Sequence, residues 1–204
     1  MTRATLEFFY EFGSPYCYLT VERICALAEK ASVEVHWRPF LLGPILAAQG
    51  LSTSPFNLHL TKGAHMWRDM ERLCAHMGLP PLTRPNPFPA HSVLAARVAI
   101  HLNAASRPAF TRAVYEAEFA HGRDISSRET VRQILAGLGH FSEAVIDGAL
   151  VPENKTRLRI QTDEAIRRGV FGAPTFITTD GELFWGNDRL ELALEHAVGL
   201  ARGG

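Results

Sequence analysis

Phe12-Gly13-Ser14-Pro15-Tyr16-Cys17-Tyr18 joins two segments of different periodicity, and that joint decides how the rest of the 204-residue chain is read. Upstream, Leu6, Phe8, Tyr10 and Phe12 share one parity of an alternating run, which predicts a strand. Downstream, Tyr18, Val21, Ile24 and Ala28 recur at helical spacing. Ser14 stands at the junction as the expected N-cap. Pro15 takes the first helical position, where its missing N–H costs nothing. A helix tip of this kind offers free N–H groups and the positive end of the helix dipole, so it suits an anion. Gly13 permits a tight turn and close approach of a ligand.

Working outward, Val33-Glu34-Val35-His36-Trp37-Arg38 alternates until Pro39 stops it, giving a second strand and a parallel βαβ unit. Residues 40–62 read as irregular, rich in Gly, Pro and Ser. A helix is expected over 63–77 on Met66, Met70, Leu73 and Met77, closed by Gly78. Pro80, Pro81, Pro85, Pro87 and Pro89 then make a stiff extended stretch. From 90 to 169 the pattern is helical throughout, with Ser126 and Glu129 placed as a capping box. Strand signals return at Thr175–Thr178, Asp180-Gly181 turns the chain, and Leu183-Phe184-Trp185 runs back. Gly186-Asn187-Asp188-Arg189 opens a last helix on Leu190, Ala193, Leu194 and Ala197. The order is β-α-β, helices, β-hairpin, α: an α/β chain in which residues 1–40 and 170–204 carry the strands. Residues 41–169 form an all-helical insertion, including the Pro-rich stretch and the helix leading back to the sheet.

Composition excludes several classes. Twenty-one basic and 21 acidic residues balance to zero net charge, so no global field favours nucleic acid or an acidic membrane surface. No apolar run approaches the roughly 20 residues that span a bilayer. No secretory signal is read before the first strand. Three cysteines without a Cys-x-x-Cys pair argue against a disulfide scaffold, and a reducing cytoplasm is the expected location. The nine histidines are dispersed without metal-ligand spacing, so no metal is expected. Ser14 lacks a Gly-x-Ser-x-Gly elbow, which weakens a hydrolase reading.

Ser14-x-x-Cys17 has the spacing of a redox Cys-x-x-Cys whose exposed cysteine has become serine. Together with Gly172-Ala173-Pro174-Thr175 and Trp185-Gly186-Asn187-Asp188-Arg189-Leu190, it resembles a thioredoxin-like domain. More narrowly, it resembles the 2-hydroxychromene-2-carboxylate isomerase and kappa-class glutathione transferase group of the DsbA-like branch. The resemblance implies a thioredoxin-like fold split by the helical insertion, glutathione as cofactor, and a homodimer. It implies a cis Pro174, with Ala173 pairing with the cysteinyl backbone of glutathione. Trp185, Gly186, Asn187 and Asp188 would meet the γ-glutamyl end. Lys62, Asn86 and His91 match positions where relatives line the pocket for a small aromatic carboxylate, though His91-Ser92 stands where many relatives carry Asn-Thr.

In that chemistry Ser14 is not the nucleophile; its hydroxyl favours the thiolate of glutathione over the thiol. A free thiol of pKa about 8.5 is mostly protonated at neutral pH, and lowering it by two units is worth about 2.7 kcal/mol. The activity implied is glutathione-dependent interconversion of 2-hydroxychromene-2-carboxylate and trans-o-hydroxybenzylidenepyruvate in aromatic hydrocarbon degradation. Three alternatives stand beside it: a kappa-class transferase, a thiol-disulfide oxidoreductase, and a non-catalytic binding module. Cys17, one turn inside the helix, is expected to be buried.

Overall fold

The computed structural model describes residues 3–203. Its sheet has four strands, β1 (Ala4–Tyr10), β2 (Val33–Pro39), β3 (Thr175–Ile177) and β4 (Leu183–Trp185), in the order β2-β1-β3-β4. β1 runs parallel to β2, with Ala4 opposite Val33 and Tyr10 opposite Pro39. It runs antiparallel to β3, with Phe8 opposite Phe176, and β4 closes the hairpin with Phe184 opposite Phe176. The parallel pair needs a crossover, which is α1 (Pro15–Ala31). The hairpin needs only a tight turn, where Gly181 takes a φ of +88°.

β1 is buried on both faces. Leu6, Phe8 and Tyr10 join the main core with Tyr18, Leu19 and Ile24 of α1. Phe8 stacks on Phe176 at 5.5 Å between centroids and meets the edge of Trp37 at 5.1 Å. Phe9 points the other way, into a smaller cluster with Phe40, Ile45, Ala165, Val170 and Ile177. Each such fully buried side chain stabilises the fold by roughly 1.5–3 kcal/mol. Glu7, on the Phe9 face, is held by Arg38 at 2.8 Å and by Arg168.

Between β2 and β3 the chain is helical: α2 (Leu42–Ala48), α3 (Pro55–Leu58), α4 (Leu60–His76), α5 (Val93–His101), α6 (Arg107–Tyr115), α7 (Arg128–Gly137), α8 (Ser142–Leu150) and α9 (Pro152–Arg167). A final helix, α10 (Leu190–Gly203), covers the sheet. This is the expected thioredoxin-like architecture with a helical insertion. The insertion does not form a separate core, because Phe110, Val114, Tyr115 and Phe119 pack in the same cluster as β1 and α1. Among the described residues no helix is long and apolar enough to cross a membrane.

The structure corrects two local expectations. Residues 40–62 are not wholly irregular, since α2 and α3 fall there. Pro55 sits at the start of α3, and the Ser54 hydroxyl accepts the Phe56 N–H at 3.3 Å, so turn-forming residues serve as a cap. The capping serine of α7 is Ser127, which accepts the Thr130 N–H at 3.4 Å. Ser126 instead bonds Asp124. The helix expected from Pro108 is present: α6 runs on into a π-helical turn over Glu116–Ala120, to which the Pro-rich stretch is fastened. There the Thr83 N–H donates to the Phe119 carbonyl at 2.7 Å and the Thr83 hydroxyl to the Ala120 carbonyl at 3.2 Å.

Candidate active site

Ser14 has the extended backbone of an N-cap, φ −92° and ψ 113°, yet its side chain does not cap α1. The hydroxyl donates instead to the Ala173 carbonyl at 2.8 Å. The turn is held by backbone bonds from the Ser14 N–H to Glu11 (3.0 Å) and from the Cys17 N–H to Ser14 (3.1 Å). The Ala173–Pro174 peptide is cis, as expected. The tip of a 17-residue helix therefore faces the backbone just ahead of β3, with one hydroxyl bridging them. Cys17 lies beneath, fully buried, and burial pushes its thiol up to about 12. That thiol stays protonated at neutral pH and is no nucleophile.

The segment after β4 sits beside Ala173-Pro174. The Gly186 N–H donates to the Pro174 carbonyl at 3.0 Å. Gly186 has a φ of +110°, which favours glycine, and a Cβ there would displace the exposed Asp188 carboxylate, 2.6 Å away. Asn187 accepts from the Thr20 hydroxyl and from Arg23 Nε, each at 3.2 Å. Arg23 also reaches the Asn187 carbonyl at 2.7 Å and Glu191. Asn187 thus ties this segment to α1, a structural load not foreseen for a ligand-binding residue. Asp188 is exposed and paired with Arg189 at 3.1 Å. The Trp185 indole is half exposed, packs on Phe171 at 5.0 Å and covers Gly172.

A cavity of about 370 Å³ opens two residues from Ser14, lined by Tyr16, Phe56, Thr61, Lys62, His65 and Met66. Lys62 and His65 share one face of α4 by their spacing of three. Phe56 comes close because Gly63 has no side chain; a Cβ there would lie 2.3 Å from the Phe56 carbonyl oxygen. Tyr16 is fixed by its hydroxyl, which donates to Asp69 at 3.3 Å. Burial and then Asp69 push that phenol up to about 12, so it remains a neutral donor. The cavity pairs two aromatic walls with a cation, which suits a flat anionic molecule.

Neither Asn86 nor His91 lines this cavity. Both are exposed; Asn86 precedes a cis bond to Pro87, and His91 lies near Asp124. The Pro-rich stretch they flank packs alongside: Phe88 meets Trp67 at 4.8 Å, and its carbonyl accepts from Asn57 at 2.7 Å. Tyr16, Phe56 and His65 were missed from sequence. Tyr16 stands two residues after Ser14 and His65 three after Lys62, while Phe56 left no trace there.

A helix tip set against a cis-proline, with a helical insertion between the second and third strands, defines the DsbA-like branch of thioredoxin folds. Residues 5–198 match the DSBA-like thioredoxin domain, and the chain belongs to that family. Within it, the chain is 29% identical over 189 residues to 2-hydroxychromene-2-carboxylate isomerase of Sphingobium xenophagum, covering 92% of this chain and 94% of the relative. It is 27% identical over 209 residues to human glutathione S-transferase kappa 1, covering 96% and 91%. A solved structure of a 2-hydroxychromene-2-carboxylate isomerase superposes with a TM-score of 0.85 at 28% identity, over 98% of this chain and 97% of the other.

Proposed function

We propose that this chain is a glutathione-dependent isomerase that interconverts 2-hydroxychromene-2-carboxylate and trans-o-hydroxybenzylidenepyruvate. The observation that carries the reading is the Ser14 hydroxyl at the tip of α1, pointed at Ala173 and two residues ahead of Tyr16, which lines a cavity with Phe56 and Lys62. The isomerase relatives, near 28–29% identity over nearly the whole chain, support it.

The donor set fits glutathione. Ser14 offers one O–H and a helix N-terminus to a sulfur anion. Ala173 offers its backbone to the cysteinyl unit. The Gly186 bend, with its φ of +110°, and the Asp188 carboxylate offer a seat to the charged γ-glutamyl end. Glutathione, when bound, would supply a thiolate that adds to the conjugated double bond; with the hemiketal ring opened and its hydroxyl proton passed to the ring oxygen, the resulting single bond could rotate, and departure of the thiolate would restore the double bond in the trans form.

The chain's own residues do the rest. The Ser14 proton turns from the Ala173 carbonyl to the sulfur and, with the helix dipole, holds it ionised. Lys62 receives the substrate carboxylate. Tyr16 and Phe56 hold the aromatic ring, and Tyr16, kept neutral, cannot add a second anion beside the sulfur.

The test is turnover of 2-hydroxychromene-2-carboxylate with and without glutathione, beside calorimetric binding of glutathione to wild type and Ser14→Ala. The reading requires glutathione-dependent isomerisation, and binding that survives in the variant while ionisation of the bound thiol falls. Conjugation of a chlorodinitrobenzene-type acceptor without isomerisation would move the assignment to a kappa-class transferase, the reading that the human relative favours. Absence of any glutathione requirement would overturn both.

A further inference from the structure

We propose that Glu11 is the positioning residue of the Ser14 turn: its carboxyl group ties that turn to the start of α5, and its charge is felt by an anion held at Ser14. The nature of that anion rests on the glutathione reading above.

Glu11 is buried in the turn between β1 and α1, 8% exposed. One carboxyl oxygen accepts the Gly13 N–H at 2.9 Å, and the other meets the Ser92 hydroxyl. Its main-chain carbonyl accepts from the Ser14 N–H at 3.0 Å and from the Tyr115 hydroxyl at 2.7 Å. A single residue thus holds the two N–H groups that shape the turn, and links it to α5 and α6. The fit is close, for a Cβ on Gly13 would lie 3.1 Å from the Glu11 carboxyl and 3.2 Å from Pro89.

The surroundings leave Glu11 as the group that changes charge near neutrality. Cys17 of α1, Tyr115 of α6 and Glu118 of the π-helical turn face it. Burial keeps Cys17 and Tyr115 protonated. It likewise raises the Glu118 carboxyl, both of whose oxygens are buried without a hydrogen-bond partner, well above its ordinary range. Asp124 and then His91 lie beyond Glu118. Burial pushes the Glu11 carboxyl up to about 7, opposed by the bonds from Ser92 and Gly13.

Both protonation states keep the same contacts. The acid donates to the Ser92 oxygen, the carboxylate accepts from the Ser92 hydroxyl, and the Gly13 N–H is accepted in either case. Titration therefore changes the charge behind Ser14 and not the shape of the turn. Two anions so placed raise each other's pKa.

Glu11→Gln reproduces the neutral acid, since its amide accepts from Gly13 and donates to Ser92. Ultraviolet titration of the thiolate of bound glutathione should spread over the Glu11 step in wild type. In E11Q it should become a single narrower step, with about a threefold higher thiolate-to-thiol ratio at pH 8. Superposable curves, with glutathione bound to both proteins, would overturn the proposal. A readout free of glutathione is the Tm of each protein against pH. The folded pKa of about 7 lies above the ordinary 4.5, so the stability gained from the neutral acid is complete below 4.5 and lost as pH rises through 7. Wild type should lose Tm relative to E11Q across that interval, and parallel profiles would overturn the proposal. If E11Q does not fold, Ser92→Ala decides. It removes a bond that favours the carboxylate, so the Glu11 step should move to higher pH, and an unmoved step counts against Glu11. Failure of wild type to bind glutathione overturns the glutathione reading instead, and the Tm comparison then decides Glu11 alone.

Discussion

The Ser14 hydroxyl donates to the Ala173 carbonyl at 2.8 Å, across 159 positions of sequence. A serine has one proton to give, so a sulfur anion arriving at Ser14 competes with that carbonyl. In the free protein the same bond fastens the helix tip to β3. Ser14→Ala should lower the stability of the unliganded protein by about 1 kcal/mol, the net worth of an ordinary hydrogen bond. Urea unfolding without glutathione measures it.

Gly172 lies under the Trp185 indole, and a Cβ there would come within 2.4 Å of Nε1 and 3.0 Å of the adjoining ring carbon. A ring cannot yield at one atom, so Gly172→Ala should swing the whole indole outward, at a cost of about 1–3 kcal/mol. Stronger acrylamide quenching of Trp185, against a Trp185→Phe control, is the expected sign. Weaker glutathione binding should accompany it.

Glu7 places an acid limb on the stability curve. Burial alone would raise its pKa, but bonds and charge from Arg168 and Arg38 outweigh burial and hold it below 4.5. A depressed folded pKa gives stability that is present above the ordinary pKa and lost as pH falls through the folded one. The Tm advantage of wild type over Glu7→Gln should therefore be full at neutral pH and shrink below about pH 4.5. Calorimetric melts from pH 3 to 7 check it.

Lys62 is exposed on the wall of the cavity, whose lining does not include Ser14. Lys62→Met should raise KM for the anionic aromatic substrate about tenfold, the worth of one charge-assisted hydrogen bond, with glutathione affinity unchanged. A matched loss of glutathione binding would place Lys62 at the cofactor instead.

The strand, the Ser14 turn and α1 were legible because their signals are local: alternation, then a proline at N1, then helical spacing. The hairpin was legible for the same reason, through Asp180-Gly181. α2 and α3 were not, because Gly43-Pro44 and Ser54-Pro55 give the same residues to a loop as to a helix start. The cavity was hidden for a different reason. Tyr16, Phe56 and His65 come from α1, α3 and α4 and meet only through tertiary packing, in which the approach of α3 to α4 turns on the absent side chain of Gly63. Glu11 lay on the polar parity of the strand pattern, the solvent side by that rule. Only the tertiary fold, which brings Ser92 and Tyr115 over it, makes it a buried acid.

The Pro-rich stretch is braced at several points: Thr83 on the π-helical turn, Arg84 on Glu71 and over the Trp67 ring, and Phe88 on Asn57 and Trp67. These struts run among α3, α4 and the insertion, while the bonds at Ser14, Ala173 and Gly186 run through α1 and the sheet. The two halves of the site meet but share few beams. Mutational drift among residues 55–88 should thus recut the mould that selects an aromatic guest, while the sulfur-handling apparatus, which this stretch of chain reaches only at Pro89 and Ser92, is spared.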